Sequence, residues 1–403
     1  MKLDLAEGFV HAEAGEQAAD IIRKCVHCGM CNAACPTYRL TGNELDGPRG
    51  RIYLIKSMLE EGGANRDVTR HLDRCLTCRA CETVCPSGVE YGELVEIARP
   101  KLQRRSLYQT MLRTSLMALA SRPRVFRRAF RAGLALRALA PKRFRRLLSA
   151  PPASTSPKSP LRSPTRASSM RIILLDGCVQ GAVTPQVNAS LANLLASAGY
   201  SVIRIAQETC CGALPLHLGA ERRAKRVMRR NLAALAANLD GVEAIISTAS
   251  GCGVTLKEYG RLLGTEDAKR VSRLIVDASE FLANPNIGTK LRAALPLQSI
   301  AWQAPCTLAS GMKLGGEIET LLKSVGYTLV PVADANQCCG SAGTYSIFEP
   351  DMANALREKK LQNLQADDPD AIATANIGCQ MHLGQASSVP VYHWLELVQL
   401  QDD

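Results

Sequence analysis

No uninterrupted apolar run in this chain approaches the roughly 20 residues that a helix needs to cross a bilayer. The opening MKLDLAEGFV contains acidic residues and no basic stretch leading into an apolar core, so it gives no secretory signal. Together these predict a protein that is soluble or peripheral, and cytoplasmic. No G-x-G-x-x-G follows a strand-like run, so the chain carries no dinucleotide fingerprint. No Ser-His-Asp arrangement can be justified. Aromatic residues make up only 4% of the chain, too few to favour a nucleic-acid surface.

Acidic residues are missing from one long stretch. Between Ile97 and Leu175 there are 19 Lys and Arg and no Asp or Glu. Of the 49 basic residues, 30 then remain elsewhere against 37 acidic ones, so the net charge of +12 belongs to that stretch and the rest is slightly acidic. The 46% apolar content of the 403 residues suffices for two or three domains with cores.

Cysteine is plentiful, at 16 residues, and comes in short-spaced groups. Such grouping reads as metal ligation in a reducing compartment, not as a secreted disulfide scaffold. The first run is Cys25, Cys28, Cys31, Cys35 and Pro36; the second is Cys75, Cys78, Cys81, Cys85 and Pro86. Two residues between each of the first three cysteines, three before the fourth, then proline, is the spacing of bacterial ferredoxin runs. Three closely spaced thiolates wrap three irons of a cubane, and the fourth serves the other cluster. The expected ligands are therefore Cys25, Cys28, Cys31 and Cys85 for one [4Fe–4S] cluster, and Cys75, Cys78, Cys81 and Cys35 for the second. A pair of structural zinc sites is the competing reading, although zinc patterns usually show two cysteine pairs with a longer gap. The runs are offset by 50 residues, and between them Ile52, Ile55, Met58 and Leu59 fall at helical spacing. A helical ferredoxin-like domain is expected, not a small hairpin one.

The C-terminal half repeats itself. Cys178, Cys210, Cys211 and Cys252 recur as Cys306, Cys338, Cys339 and Cys379, with offsets of 128, 128, 128 and 127 residues. Both halves contain Cys-Cys-Gly. Strand-like RIILL, SVIRI and AIIST in the first half match SIAW, TLVPV and AIATA in the second, with helix-like runs such as Glu221–Leu239 and Met352–Leu364 between. Alternation of this kind predicts largely parallel sheets, with each cysteine quartet near the carboxyl ends of the strands. Each quartet has enough thiolates for one further cluster; buried small hydrophobic cysteines and a vicinal disulfide are the other readings.

The expected class is thus α+β and multidomain. A helical two-cluster domain spans 1–98, a basic helical segment 99–150 and a Pro/Ser-rich linker 151–169. Duplicated α/β Cys-Cys-Gly modules follow at 170–297 and 298–403. The basic segment interleaves arginine with apolar residues at near-helical spacing, which suits either an anionic membrane surface or an acidic partner subunit. His27 and His382 lie near cysteines, but a packed or half-exposed histidine is the commoner case, and neither is assigned a role. With clusters and no hydride acceptor of its own, the chain needs a flavin partner to oxidise an alcohol.

Several stretches resemble the iron–sulfur subunit of bacterial glycolate oxidase: Cys25–Lys56, His71–Val89, Thr248–Gly260, Gln337–Tyr345 and Thr374–Leu383. The resemblance spans almost the whole chain. It implies an electron-transfer subunit working with two flavoprotein-type subunits that carry FAD. Glycolate would be oxidised to glyoxylate on a partner, and electrons would pass through this chain's clusters towards a quinone at the inner membrane face. It carries the eight N-terminal cysteines over as ligands and assigns the chain no catalytic residue. Iron–sulfur subunits of D-lactate or glycerol-3-phosphate dehydrogenases, and heterodisulfide reductase subunits, share the Cys-Cys-Gly pattern. The last of these close with a C-x-x-C pair whose first place here is Ala249 or Asn376, which puts disulfide-reductase chemistry in doubt.

Overall fold

The computed structural model describes residues 1–10, 13–103, 106–139, 170–288 and 290–400. The expected linker at 151–169 and the end of the basic segment lie outside the described residues. The chain forms two compact units. The first comprises Met1–Ser115, Leu214–Arg223 and Asn336–Lys360; the second comprises Leu116–Ala213, Ala224–Ala335 and Leu361–Asp403.

The first unit is helical around its cysteine runs. Helix Glu13–Lys24 has Glu13 and Glu16 in its first turn and Arg23 and Lys24 in its last, charges that oppose the helix dipole at both ends. It buries Ala18, Ala19, Ile21 and Ile22. Helix Pro48–Glu61 starts with proline at its first position, where no N–H is missed, and stops at Gly62 in the left-handed conformation. Its apolar face is the predicted one: Ile52, Ile55, Met58 and Leu59 join Leu72, Leu94 and Val95 in one core. Gly50 permits the close approach of the preceding turn, since a Cβ there would lie 2.2 Å from the Glu44 carbonyl oxygen.

The second unit holds two four-stranded sheets, each wholly parallel. In the first, β1 (Arg171–Leu174), β2 (Ser201–Ile203), β3 (Val242–Ser247) and β4 (Ile275–Asp277) run in the order β2-β1-β3-β4. After the short β5 (Leu291–Ala293), the second sheet contains β6 (Ser299–Gln303), β7 (Thr328–Val330), β8 (Ala371–Thr374) and β9 (Val391–His393), ordered β7-β6-β8-β9. The two orders are the same permutation, so the cysteine repeat is a repeat of topology too. A last strand, β10 (Val398–Leu400), pairs antiparallel with β5. One apolar core serves both sheets and includes Ile172, Leu191 and Ile246 with Ile300, Trp302 and Trp394.

A buried histidine ties the sheets together. His393 is fully buried, and its Nδ1 accepts a hydrogen bond from Leu395 N–H at 3.3 Å. The proton therefore sits on Nε2, which donates to the Thr248 carbonyl oxygen at 2.9 Å. Burial holds the imidazole neutral down to about pH 4, although the Thr248 hydrogen bond favours protonation. Unfolded histidine takes up its proton near pH 6.5, so between these values the unfolded state binds more protons and stability falls as the pH is lowered. We expect acidification from pH 7 to pH 4 to cost the second unit about 3 kcal/mol through this group, and His393→Gln to flatten that part of the denaturation curve. An unchanged pH slope in the variant would count against it.

The described residues of the basic segment include two α-helices, Leu107–Ala120 and Pro123–Ala135. In the second, Phe126, Phe130 and Leu134 recur at helical spacing and pack on Val179, Val183, Ile377 and Met381 of the same unit. This helix therefore spends its apolar face within its own unit, while Arg124, Arg128 and Arg131 stay exposed.

Candidate metal centres

The two N-terminal runs adopt matching backbones. Gly29 and Arg79, each four residues after the first cysteine of its run, are left-handed (φ 84° and 59°), as are His27 and Thr77 (φ 61° and 52°). These turns curl the thiols inward, and each run then enters a short helix, Met30–Ala33 or Ala80–Thr83, that carries the third cysteine. In the first run Pro36 opens the next helix, directly after Cys35.

Cys25, Cys28, Cys31 and Cys85 line one cavity with Arg49 and Ile52. Burial pushes the Cys31 thiol up to about 11, and Cys25 and Cys85 add to it. Around the second run, burial raises Cys81 well above the ordinary thiol range, and Cys78, Cys75 and Cys35 reinforce it. Cys85 thus stands near the thiols of the first run and Cys35 near those of the second, while Cys81 also lines the first cavity. Among the described residues, no three His, Cys, Asp or Glu side chains are gathered tightly enough to ligate a single ion.

The groups differ in burial. Cys28 is exposed and Cys25, Cys31 and Cys85 are half-buried, while Cys35, Cys75 and Cys81 are buried and Cys78 is half-buried. A polar shell that the sequence analysis missed surrounds the second group. Tyr91 Oη donates to Cys75 Sγ at 3.6 Å, and Arg99 Nη2 donates to the Cys75 carbonyl oxygen at 2.6 Å. Fully buried Arg51 donates through Nε to the His71 carbonyl oxygen at 2.8 Å and through Nη1 to Thr37 Oγ1 at 3.1 Å. Burial alone would raise the Cys75 thiol, but the Arg51 and Arg99 cations outweigh it and hold the group below the usual thiol range. Nothing in the local pattern around Arg51 distinguishes it from a surface arginine; only the fold turns it inward.

In the first Cys-Cys-Gly module, the strand order reverses between β1 and β3, the place where open parallel sheets leave a crevice. Cys178 lies four residues beyond β1, and Cys252 sits on helix Ser250–Lys257 just beyond β3. Cys178 Sγ is 3.7 Å from Cys210 Sγ. Hydrogen bonds from Cys178 and Cys211 hold the Cys210 thiol well below its ordinary range; Cys211 in turn touches Cys252. Gly212 allows the sharp exit from the pair with a φ of 88°, as Gly340 does in the second module. Glu208 accepts hydrogen bonds from Asp176 N–H (2.7 Å) and Gly177 N–H (2.8 Å), fixing the loop that carries Cys178. Its burial raises the carboxyl to about 7 despite those bonds.

The second module's cysteines are distributed differently. Cys306 follows β6 and Cys379 lies on helix Ile377–Gly384, both in the second unit, whereas Cys338 and Cys339 belong to the first. Within the second unit, Ser250 Oγ lies 2.7 Å from Thr307 Oγ1, so the helix carrying Cys252 meets the turn after Cys306. Within the first, Tyr345 Oη donates to the Arg74 carbonyl oxygen at 3.1 Å. His382 is buried on the Cys379 helix, and His27 lies on the first cysteine loop with its ring 6.5 Å from that of Tyr53.

Comparison with known proteins agrees with this layout. Residues 21–89 match the family model of a 4Fe-4S dicluster domain, and residues 172–257 and 300–384 match that of a cysteine-rich domain. The chain is 43% identical to the "Glycolate oxidase iron-sulfur subunit" of Escherichia coli (strain K12), over 99% of this chain and 98% of that protein. It is 33% identical to the "Probable glycolate oxidase iron-sulfur subunit" of Bacillus subtilis (strain 168), over 89% and 88%. It is 26% identical to a subunit of the CoM/CoB fumarate reductase of Methanothermobacter marburgensis, over 94% and 72%. The first match runs nearly end to end and the second covers most of both chains, each above 30% identity, so this chain belongs to the family of glycolate oxidase iron–sulfur subunits.

Proposed function

We propose that this chain relays electrons for a glycolate-oxidising complex through two [4Fe–4S] clusters, one held by Cys25, Cys28, Cys31 and Cys85 and the other by Cys75, Cys78, Cys81 and Cys35. The observation that supports the reading is that Cys85 shares a cavity with Cys25, Cys28 and Cys31, while Cys35 acts on Cys81 together with Cys75 and Cys78. Bound clusters would supply two one-electron sites in series, between a donor that gives up electrons in pairs and an acceptor beyond. The chain's own residues hold those sites close together through the exchange, keep water from the second and leave the first near the surface through Cys28.

The oxidation itself then belongs to flavoprotein partners carrying FAD, with a quinone as the final acceptor and the complex held peripherally at the inner membrane face. Exposed Arg124, Arg128 and Arg131 suit an anionic surface or an acidic partner. Cys178, Cys210, Cys211 and Cys252 form a compact thiol group suited to a third cluster, and Cys306, Cys338, Cys339 and Cys379 are the corresponding set for a fourth.

The test uses the purified chain and the reconstituted complex. The chain alone should show cluster signals and no glycolate oxidation with a dye acceptor; in the complex, glycolate should reduce those signals anaerobically. Glycolate oxidation by the isolated chain would overturn the relay reading.

A further inference from the structure

The second cysteine group contains a buried cation that the relay reading leaves without a task. Arg51 Nη1 lies 4.0 Å from Cys35 Sγ, and its Nη2 is buried without a hydrogen-bond partner among the described residues. The nearest carboxylate, Asp46, has Oδ1 3.7 Å from that Nη2. Asp46 is already engaged: Arg74 Nη1 donates to its Oδ2 at 3.0 Å, and His71 Nδ1 lies 2.7 Å from its Oδ1. One carboxylate is thus shared between two guanidiniums; Arg74 also has Glu349 Oε2 3.8 Å from its Nε, whereas Arg51 has Asp46 as its one carboxylate neighbour among the described ion pairs. A buried donor with no oxygen to serve, beside a thiol, fits a site that becomes negatively charged when filled.

We propose that Arg51 sets the reduction potential of the cluster held by Cys35, Cys75, Cys78 and Cys81, acting as a fixed positive charge within its water-excluded shell. The inference rests on the ligand assignment proposed above. The step concerned adds one electron to that site; no bond forms or breaks and no proton is required. The added negative charge is stabilised by a guanidinium that cannot lose its own proton. Burial on both sides leaves the attraction largely unscreened, so it favours the reduced form. Among the described residues that line the first cavity, no cation is fully buried. Arg49 lines its cavity, but its side chain is 33% exposed and its Nε is engaged by Glu44 at 2.6 Å. Arg51 therefore biases the pair, drawing the electron towards the buried site.

The test is an anaerobic EPR redox titration of the full chain, with iron counted. Cys35→Ser first identifies the signal of the buried cluster by removing it. Arg51→Gln should then lower that signal's midpoint enough to reduce its reduced-to-oxidised ratio at least tenfold, which is 59 mV for one electron. The other signal should move by less than a third of this, and Arg51→Lys should restore most of the shift. Asp46→Asn should move the same signal the opposite way, because it removes a neighbouring negative charge. If Cys35→Ser removes no signal, the ligand assignment and this inference both fall. If it does, and Arg51→Gln retains both clusters but leaves the midpoint in place or moves both equally, only the role of Arg51 falls. Should Arg51→Gln lose the buried cluster, Asp46→Asn decides: no upward shift overturns the proposal.

Discussion

Replacing Cys35 with serine is expected to abolish the cluster of the other run. Sequence distance alone would pair Cys35 with Cys25, Cys28 and Cys31. In the structure Cys35 is buried, and its charge bears on Cys81, alongside Cys78 and Cys75. Cys85 in the same way bears on Cys31 and lines the cavity of the first run. Iron should fall from about eight to about four per N-terminal unit in either single variant. The surviving EPR signal should differ between them: Cys35→Ser keeps the solvent-near cluster and Cys85→Ser the buried one. Electron transfer through the complex should drop at least about 100-fold in both, since losing a ligand costs more than losing a ligand's supporting hydrogen bond. Survival of the buried cluster in Cys35→Ser, with the solvent-near one surviving in Cys85→Ser, would refute the crossed arrangement.

Removing the iron should unfold much of the first unit while the parallel sheets persist. The runs hold three non-glycine residues in the left-handed region, His27, Thr77 and Arg79. Such residues cost about 1–3 kcal/mol each unless the surroundings enforce them. The helices that follow, Met30–Ala33 and Ala80–Thr83, are only four residues long and have little stability of their own. Bound metal must therefore supply the restraint, as it does in small domains whose metal-binding energy is their folding energy. After anaerobic chelation, hydrogen exchange should show lost protection across the dicluster region, including helix Pro48–Glu61, whose Ile52 faces the first cavity. The strands β1, β3, β6 and β8 are buried in a core that contains none of the eight N-terminal cysteines and should keep their protection. Retained protection around Arg79 in iron-free protein would show that the loops are self-supporting.

The legible parts of this protein were those whose chemistry is local or periodic. Thiolates that wrap one cubane must be close in sequence, so their spacing identifies them before any fold is known. The Cys-Cys-Gly repeat was legible because duplication copies the order of residues, and the helix at Pro48–Glu61 because its apolar residues recur at helical spacing. The strands β4, β5, β9 and β10, of three residues each, went unread; β2 and β7 are as short but stand in the longer strand-like runs SVIRI and TLVPV. Other features existed only after folding. Arg51, Asp46 and His71 meet across 25 residues of sequence because helix packing turns a charged face inward. Glu208 became a clamp for the Cys178 loop because parallel strands bring the ends of β1 and β2 side by side. The same long-range packing puts Cys338 and Cys339 in one compact unit and Cys306 and Cys379 in the other, although both modules present the same spacing in sequence. Sequence by itself therefore determined which thiols are the candidate metal ligands. Tertiary structure decided which thiols stand together, how dry each group is and what charge faces it, because burial and electrostatic fields depend on distances in space and not along the chain.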